Sequence, residues 1–152
     1  MLPANGVTRV FQGINYGGSR QYTGWHAFGG TNMVETNTNL IGDVTVVALT
    51  GRLHLGNSLT YVENVLNRLI EGGIRKLVLN LTQLEYIDSS GLGMLIGCNG
   101  RMDQHGGKMH VAGAHGAVSK VFAVVHADRI LQLDADVESA CARLSTGSAA
   151  GA

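Results

Sequence analysis

The fold of this chain is decided by the stretch YIDSSGLG at residues 86–93. An apolar run, LVLNL at residues 77–81, comes shortly before it, and a segment of helical character, residues 94–102, comes directly after it. This order predicts a buried strand, a short connection and a helix. Asp88 and the two serines after it fall where the helix should begin, and their side-chain oxygens can accept hydrogen bonds from first-turn N–H groups. The stretch therefore predicts two serine hydroxyls at an accessible helix N-terminus.

Two glycines, Gly91 and Gly93, follow the serines. Because they keep the first turn free of bulk, they should let another chain approach the backbone closely. A phosphate on Ser89 or Ser90 would add about −1.5 to −2 charge at neutral pH, and a helix N-terminus favours an anion. Phosphorylation should therefore leave the domain folded and alter any partner surface pressed against it. On the motif alone, a structural role as helix caps is the simpler interpretation.

This stretch, after an apolar strand and an aromatic-Ile pair, resembles the signature of bacterial anti-sigma factor antagonists, which are STAS domains. Three other segments resemble the same family in the same order along the chain. They are Gly51-Arg52-Leu53 after the strand-like residues 44–49, the Gly-Gly lead into a strand at residues 106–111, and the helical residues 117–122. The resemblance covers roughly residues 33–145. It implies an α/β STAS fold with a mixed sheet of about five strands, an N-terminal antiparallel hairpin and four helices.

The same resemblance implies a binding module that is switched by phosphorylation. The unphosphorylated protein would bind an anti-sigma factor that is also a serine kinase, and so release a sigma factor that directs transcription. The kinase would transfer phosphate to Ser89, a serine phosphatase would remove it, and Ser90 would cap or position the helix. Other STAS proteins or a second copy of the chain are further candidate partners. Such a protein is not an enzyme and uses no cofactor. The implied partner-binding residues are Asp88, Ser89, Ser90, Gly91, Leu92, Gly93, His54 and His115.

Two histidines border the implied surface. His54 stands where the family often carries an acidic residue, and a neutral or cationic side chain there could make partner binding sensitive to pH. His115 precedes a predicted helix, at a strand end on the same edge of a parallel sheet as Ser89, so we expect it to border Ser89. A third histidine, His110, alternates within a predicted strand and is interpreted as a satisfied structural residue.

The composition excludes several classes of function. Only 14% of the 152 residues are charged, the formal net charge is zero, and apart from the pair Arg75-Lys76 the Lys and Arg residues are spread singly along the sequence, so we expect no nucleic-acid partner. No run is long enough to span a bilayer and the N-terminus lacks a signal sequence, so we predict a cytoplasmic protein without membrane insertion. The cysteines, Cys98 and Cys141, fall in helical patterns and are predicted to be buried thiols rather than a disulfide or metal pair. No metal site is predicted, because no histidine has metal-ligand spacing to another His or Cys.

Three segments are predicted along the chain. Residues 1–32 are glycine-rich with interspersed aromatics, which argues against a packed helix or a long strand and favours a flexible leader over an arm that docks on a neighbour. Residues 33–145 form the STAS domain, and residues 146–152 form a frayed tail. Within the domain we predict a hairpin, then strands and helices in alternation with right-handed crossovers. The strands are 33–41, 44–49, 76–81, 108–112 and 130–133. The first helix is capped by Asn57 or Ser58, with Thr60 and Glu63 as a second possible capping box. The later helices begin near 88–90, near 117 and at Asp136, and the last one ends at Leu144.

Two other classes of function stay open. One is a non-switching STAS scaffold or a transporter-associated subunit, which the N-terminal segment and His54 favour slightly. The other is a nucleotide-binding protein, because Gly91, Gly93 and Gly97 superficially match a dinucleotide-binding turn. That match lacks its acidic residue, since the next strand ends in VAGA at residues 111–114. No Walker-type Gly-Lys-Ser or Gly-Lys-Thr occurs either.

Overall fold

The computed structural model describes the backbone of residues 9–16, 19–28 and 32–150, and the side chains of residues 34–145. In this part the chain forms seven strands and four α-helices. The strands are β1 Arg9–Tyr16, β2 Ser19–Phe28, β3 Asn32–Ile41, β4 Val44–Leu53, β5 Lys76–Ile87, β6 Lys108–Ala112 and β7 Gln132–Asp134. The helices are α1 Asn57–Glu71, α2 Ser89–Gln104, α3 Gly116–Val124 and α4 Val137–Ala150, with a short 3-10 helix at Ala127–Arg129.

All described strands belong to one mixed sheet, in the order of the chain. Strands β1 to β4 are antiparallel neighbours, whereas β4 to β7 are parallel and joined through helices. The predicted hairpin is the pair β3–β4, which turns at residues 42–43 with Gly42 in the left-handed region at φ +61°. The predicted α/β fold with an N-terminal antiparallel hairpin and four helices is therefore confirmed, and β1 and β2 add two strands to its sheet.

The argument against a long strand in residues 1–32 was wrong. The ten-residue β2 pairs with β3, and β1 pairs with β2. Strand preference depends on context, and β3 offers a row of backbone groups that β2 pairs with despite its glycines. Residues 1–8, 17–18, 29–31 and 151–152 lie outside the described part of the chain. The choice between leader and docking arm, and the frayed end of the tail, therefore remain predictions.

The core lies on both faces of the parallel half of the sheet. On one face, strand residues such as Leu79 pack with buried residues of α1, α2 and α3, for example Leu66, Leu95 and Phe122. On the opposite face, the buried residues are Val44, Val46, Val78, Ala112, Ala140 and Leu144, the last two from α4. Strand β5 is thus buried on both sides, as its near-continuous apolar run predicts.

Helix α1 begins differently from the prediction. Its N-cap is Gly56, and no side chain caps it. The hydroxyl of Ser58 instead donates to the His54 carbonyl at 3.4 Å, and that of Thr60 to the Gly56 carbonyl at 3.3 Å. The chain enters the helix through Gly56 at φ +133°, a conformation that favours glycine, so the cap falls one residue before Asn57. The predicted caps at Asn57 or Ser58 and the Thr60–Glu63 capping box were therefore wrong.

Two C-terminal elements are also shifted. Strand β7 starts only at Gln132, because Ile130 and Leu131 both donate their N–H groups to the Ala127 carbonyl. These two hydrogen bonds close the end of the 3-10 helix. Helix α4 runs to Ala150 instead of Leu144. Cys98 and Cys141 are both free thiols, as predicted, but only Cys98 is buried, because Cys141 lies on the partly exposed side of α4. Among the described helices, none is both long enough and apolar enough to cross a bilayer.

Candidate partner-binding site

The site is built where β5 ends and α2 begins. Asp88 has an extended backbone and is the N-cap of α2, as predicted. One carboxylate oxygen, Oδ1, accepts the Gly91 N–H at 2.7 Å, and the other, Oδ2, accepts the Leu55 N–H at 3.0 Å. A single carboxylate therefore holds both the first turn of α2 and the connection between β4 and α1.

The Asp88 carboxylate is stabilised in its charged form. Partial burial alone would raise its pKa, but the N–H groups of Leu55, Gly91 and Ser90 and the nearby charge of His54 outweigh that effect. The pKa therefore lies below the usual value of 3.8. Asp88 is ionised at neutral pH and places one negative charge beside the serines.

The two serines differ in exposure. Ser89, the first residue of α2, is exposed, and Ser90 is partly buried. Both lie in the first turn of α2, where the helix dipole favours an added anion, and Asp88 already accepts the N–H groups of Gly91 and Ser90. An enzyme can therefore reach the Ser89 hydroxyl, whereas Ser90 is more enclosed by its own chain.

The glycines of the signature have opposite roles. Gly91 is buried, and a Cβ atom there would lie 2.8 Å from Ile87 Cγ1 and 3.0 Å from the Leu53 carbonyl oxygen. Gly91 therefore lets α2 pack on the ends of β4 and β5, and the close approach is made by this chain itself. Leu92 is a core residue with 3% exposure. Gly93 is exposed with open space around it.

Two residues of the implied partner-binding set must be corrected on this basis. Gly91 and Leu92 are covered by the protein, so they position the surface and do not form part of it. The same packing argues against a dinucleotide at this turn. The room that such a glycine would leave for a pyrophosphate is already filled by Leu53 and Ile87.

His54 lies at the site, as the sequence predicted. Its charge contributes to the low pKa of Asp88, and its ring meets the Tyr86 ring edge-on with the centroids 6.3 Å apart. The Arg52 guanidinium lies over the Tyr86 ring, 4.4 Å from the ring centroid. Arg52 and Tyr86 were both inside quoted motifs, but only the parallel pairing of β4 with β5 shows that they meet.

His115 lies elsewhere. Its Nε2 atom is 2.7 Å from the carbonyl oxygen of Thr82. Strand β6 pairs with β5 only as far as Asn80, so the end of β6 lies well short of the end of β5. From Thr82 to Asp88 the extended chain covers about 20 Å at roughly 3.3 Å per residue. The structure therefore does not bring His115 to the group formed by His54 and Asp88.

Leu55 is the residue that the sequence gave no reason to select. Its side chain is 71% exposed, directly beside the N–H group that holds Asp88. Single exposed apolar side chains are common on protein surfaces, so Leu55 is selected because its own N–H binds the Asp88 carboxylate. We call the group of His54, Leu55, Asp88, Ser89 and Gly93 the Ser89 surface.

Other kinds of site receive little support. Across the described residues there is no group of three or more His, Cys, Asp or Glu placed to hold a metal. His110 is buried, and its Nδ1 atom is 2.7 Å from Asp134 Oδ2, which confirms a satisfied structural histidine. A cavity of about 490 Å³ opens between α3 and β7, with Phe122, His126 and Leu133 among its lining residues.

The chain belongs to the STAS domain family, whose sequence model matches residues 35–140.

Solved structures show how widely this fold is used. An anti-sigma factor antagonist from Mycobacterium paratuberculosis is 18% identical, with a TM-score of 0.68 over 74% of this chain and 94% of that one. The Bacillus cell fate determinant SpoIIAA in its phosphorylated form is 21% identical, with a TM-score of 0.57 over 71% of this chain and 97% of that one. The murine anion transporter Slc26a9 is 17% identical, with a TM-score of 0.60 over 70% of this chain and 18% of that one. At these identities the likeness is one of fold.

Proposed function

We propose that this protein is an anti-sigma factor antagonist, a binding protein rather than an enzyme, that acts in the cytoplasm without a cofactor. It binds its partner through the Ser89 surface. The observation that carries the proposal is that exposed Ser89 directly follows an ionised carboxylate, Asp88, which also holds the N–H of the exposed Leu55 at 3.0 Å. The fold neighbours include anti-sigma factor antagonists, one of them solved in a phosphorylated form.

The partner in this proposal is an anti-sigma factor with serine kinase activity. While Ser89 is unmodified, the partner covers Leu55 and packs against the start of α2. Releasing the sigma factor from that partner then permits transcription. A serine phosphatase returns the modified protein to its binding form. His54, within reach of the Asp88 charge, adjusts the field that the partner meets.

Phosphate on Ser89 opposes binding without unfolding the domain. It joins the N-terminus of α2, where the helix dipole favours an anion. It also adds about −1.5 to −2 charge next to Asp88, and this charge must lose water if the partner is to approach. A loss of about 1.4 kcal/mol already weakens affinity tenfold. The proposal assigns Ser90 to positioning, because it is partly buried.

The test compares serine variants against the partner kinase recovered by capture from native cytoplasm. Ser89→Ala should bind as tightly as the unmodified protein, and Ser89→Asp should bind at least tenfold more weakly by isothermal titration calorimetry. Ser139→Asp is the matched control. Ser139 is an exposed serine in the first turn of α4, behind the aspartate Asp136, which accepts its N–H at 2.7 Å.

The modified residue is located separately. After incubation with the kinase and ATP, mass spectrometry should place the phosphate on Ser89. Equal affinity of the Ser89→Ala and Ser89→Asp variants would remove the switch. Phosphate on Ser90 would instead reverse the roles that we propose for the two serines.

A non-switching STAS subunit is the second candidate, and one observation favours it. Val124, Val125 and Ile130 are exposed apolar side chains at the end of α3 and just after the 3-10 helix, with 80%, 48% and 52% exposure. Exposed apolar side chains of this kind suit permanent contact with other STAS proteins, a second copy or a transporter. Size-exclusion chromatography with light scattering separates the candidates, because a scaffold should assemble with itself or with one paralogue without regard to Ser89.

A further inference from the structure

Four of the eleven Lys and Arg residues meet at one place, although only Arg75 and Lys76 are neighbours in the sequence. Arg75, Lys76 and Lys108 begin the neighbouring strands β5 and β6, and Arg143 comes from α4. Together with His110, Gly106 and Leu144 they line a cavity of about 240 Å³. We call this cavity the basic pocket. The sequence-based statement that no basic cluster exists was therefore wrong for the folded chain.

The register of the sheet forces these cations together. Lys76 and Lys108 are directly paired across β5 and β6, and the Lys108 N–H donates to the Arg75 carbonyl at 2.8 Å. Like charges placed opposite each other on neighbouring strands repel. An anion in the pocket would relieve that repulsion.

The acidic groups of the structure neutralise only part of this charge. Asp43 pairs with Lys76 at 2.6 Å, and Asp134 takes both Arg143 at 2.6 Å and the His110 ring at 2.7 Å. Arg75 and Lys108 form no ion pair within residues 34–145. Two cations are left to face the pocket while their neighbours are held in place by carboxylates.

We propose that the basic pocket binds a small phosphate-bearing anion. Arg presents a fork of donors that matches phosphate oxygens, and Lys supplies a compact charge. The volume is below the roughly 300–1,000 Å³ of most cofactor pockets, so the site suits an anionic group rather than a whole cofactor. The pocket lies at the start of β5 and Ser89 just beyond its end, about 36 Å apart along twelve residues of strand. It therefore acts independently of the Ser89 surface.

The test is a titration of the full-length protein with inorganic pyrophosphate, followed by amide chemical shifts in nuclear magnetic resonance spectra. The amides of Gly106, Lys108 and Arg143 should move and saturate. The double variant Arg75→Ala/Lys108→Ala should bind at least tenfold more weakly. Both side chains are exposed, so the variant should stay folded, and Arg75→Gln/Lys108→Gln replaces it if it does not.

A matched control separates a built pocket from general charge. Lys120→Ala/Arg129→Ala also removes one exposed Lys and one exposed Arg, but outside the pocket, and it should keep wild-type affinity. Parallel titrations with inorganic phosphate and with a sugar phosphate distinguish a free anion from a phosphate ester as the ligand. Unsaturable shifts in the wild type, or equal losses in both double variants, would overturn the proposal. Ser89→Ala should bind pyrophosphate normally, so failure here leaves the proposed function standing.

Discussion

The two ends of the parallel strands carry charges of opposite sign in different surroundings. At the carboxyl end, Asp88 has both oxygens bound to backbone N–H groups, so its charge is fixed inside the protein's own structure. At the amino end, Arg75 and Lys108 line a cavity and form no ion pair within residues 34–145, although Arg75 donates to the Ile74 carbonyl at 3.0 Å. In the two proposals, the first end gains charge on its own serine and the second binds an anion from solution. A formal net charge of zero conceals this separation.

The largest effect is expected at the carboxyl end, from Gly91→Ala. The new Cβ would lie within 3.0 Å of Ile87 Cγ1 and of the Leu53 backbone oxygen, and the backbone cannot move aside easily. We expect the free energy of unfolding to fall by about 1–3 kcal/mol, as in other overpacked sites. Urea denaturation measures it. Gly93→Ala is the control, because nothing lies within 4 Å of its Cβ, and it should be neutral or slightly stabilising. Similar losses in both variants would contradict the assigned role of Gly91.

Leu55→Ala should have the next largest effect, on binding alone. If Leu55 anchors the partner, its removal should cost about 2 kcal/mol, the size of an interface hot spot. The free energy of unfolding should hardly change, since the side chain is 71% exposed. Calorimetry with the captured partner tests this, with Val124→Ala, 80% exposed on α3, as control. Unchanged affinity for Leu55→Ala would exclude Leu55 from the contact.

Asp88 should give a smaller effect that depends on pH. Asp88→Ala removes the helix cap and should cost about 0.5–2 kcal/mol of stability. Because the pKa of Asp88 is lower in the folded than in the unfolded state, its ionic contribution is complete above the usual value of 3.8 and is lost as the pH falls through the folded pKa. Urea denaturation between pH 7 and about pH 2.5 should show a shallower acid loss for Asp88→Asn, which keeps the cap but not the charge. Identical pH profiles for Asp88→Asn and the wild type would contradict this.

The smallest effect is expected at the amino end, from Asp43→Asn. Lys76 would lose its carboxylate partner and face the basic pocket with its full charge. Pyrophosphate affinity should rise, by less than tenfold because Asp43 is an exposed group and solvent screens its charge. The chemical-shift titration measures it. Asp136→Asn, which changes an exposed carboxylate outside the pocket, should leave the affinity unchanged.

The sequence was sufficient where the determinants are local. The strand, the Asp88 cap and the exposed serine all follow from neighbouring residues, and each has a short-range physical cause. The left-handed glycine after α1, Gly73 at φ +99°, follows in the same way.

It was insufficient where distant residues meet. The relative lengths of β5 and β6 place His115 against Thr82. No pattern in the sequence of either strand predicts how far the two strands pair. The register of β5 with β6 brings Lys108 to the pair Arg75-Lys76, and the sequence alone does not show that register. Gly91 looks open in the sequence and is closed by Leu53, which precedes it by a whole helix and strand. Pairing of β2 with β3 likewise depends on a partner strand and not on composition.

The double use of Asp88 has a mechanical consequence. Because one carboxylate ties the loop carrying Leu55 to the turn carrying Ser89, the two cannot hinge apart without breaking a charge-assisted hydrogen bond. A displacement of the turn should therefore also move the loop, because the same carboxylate is hydrogen-bonded to both. A partner that binds Leu55 would therefore respond to a chemical change at Ser89, because Asp88 connects the two segments.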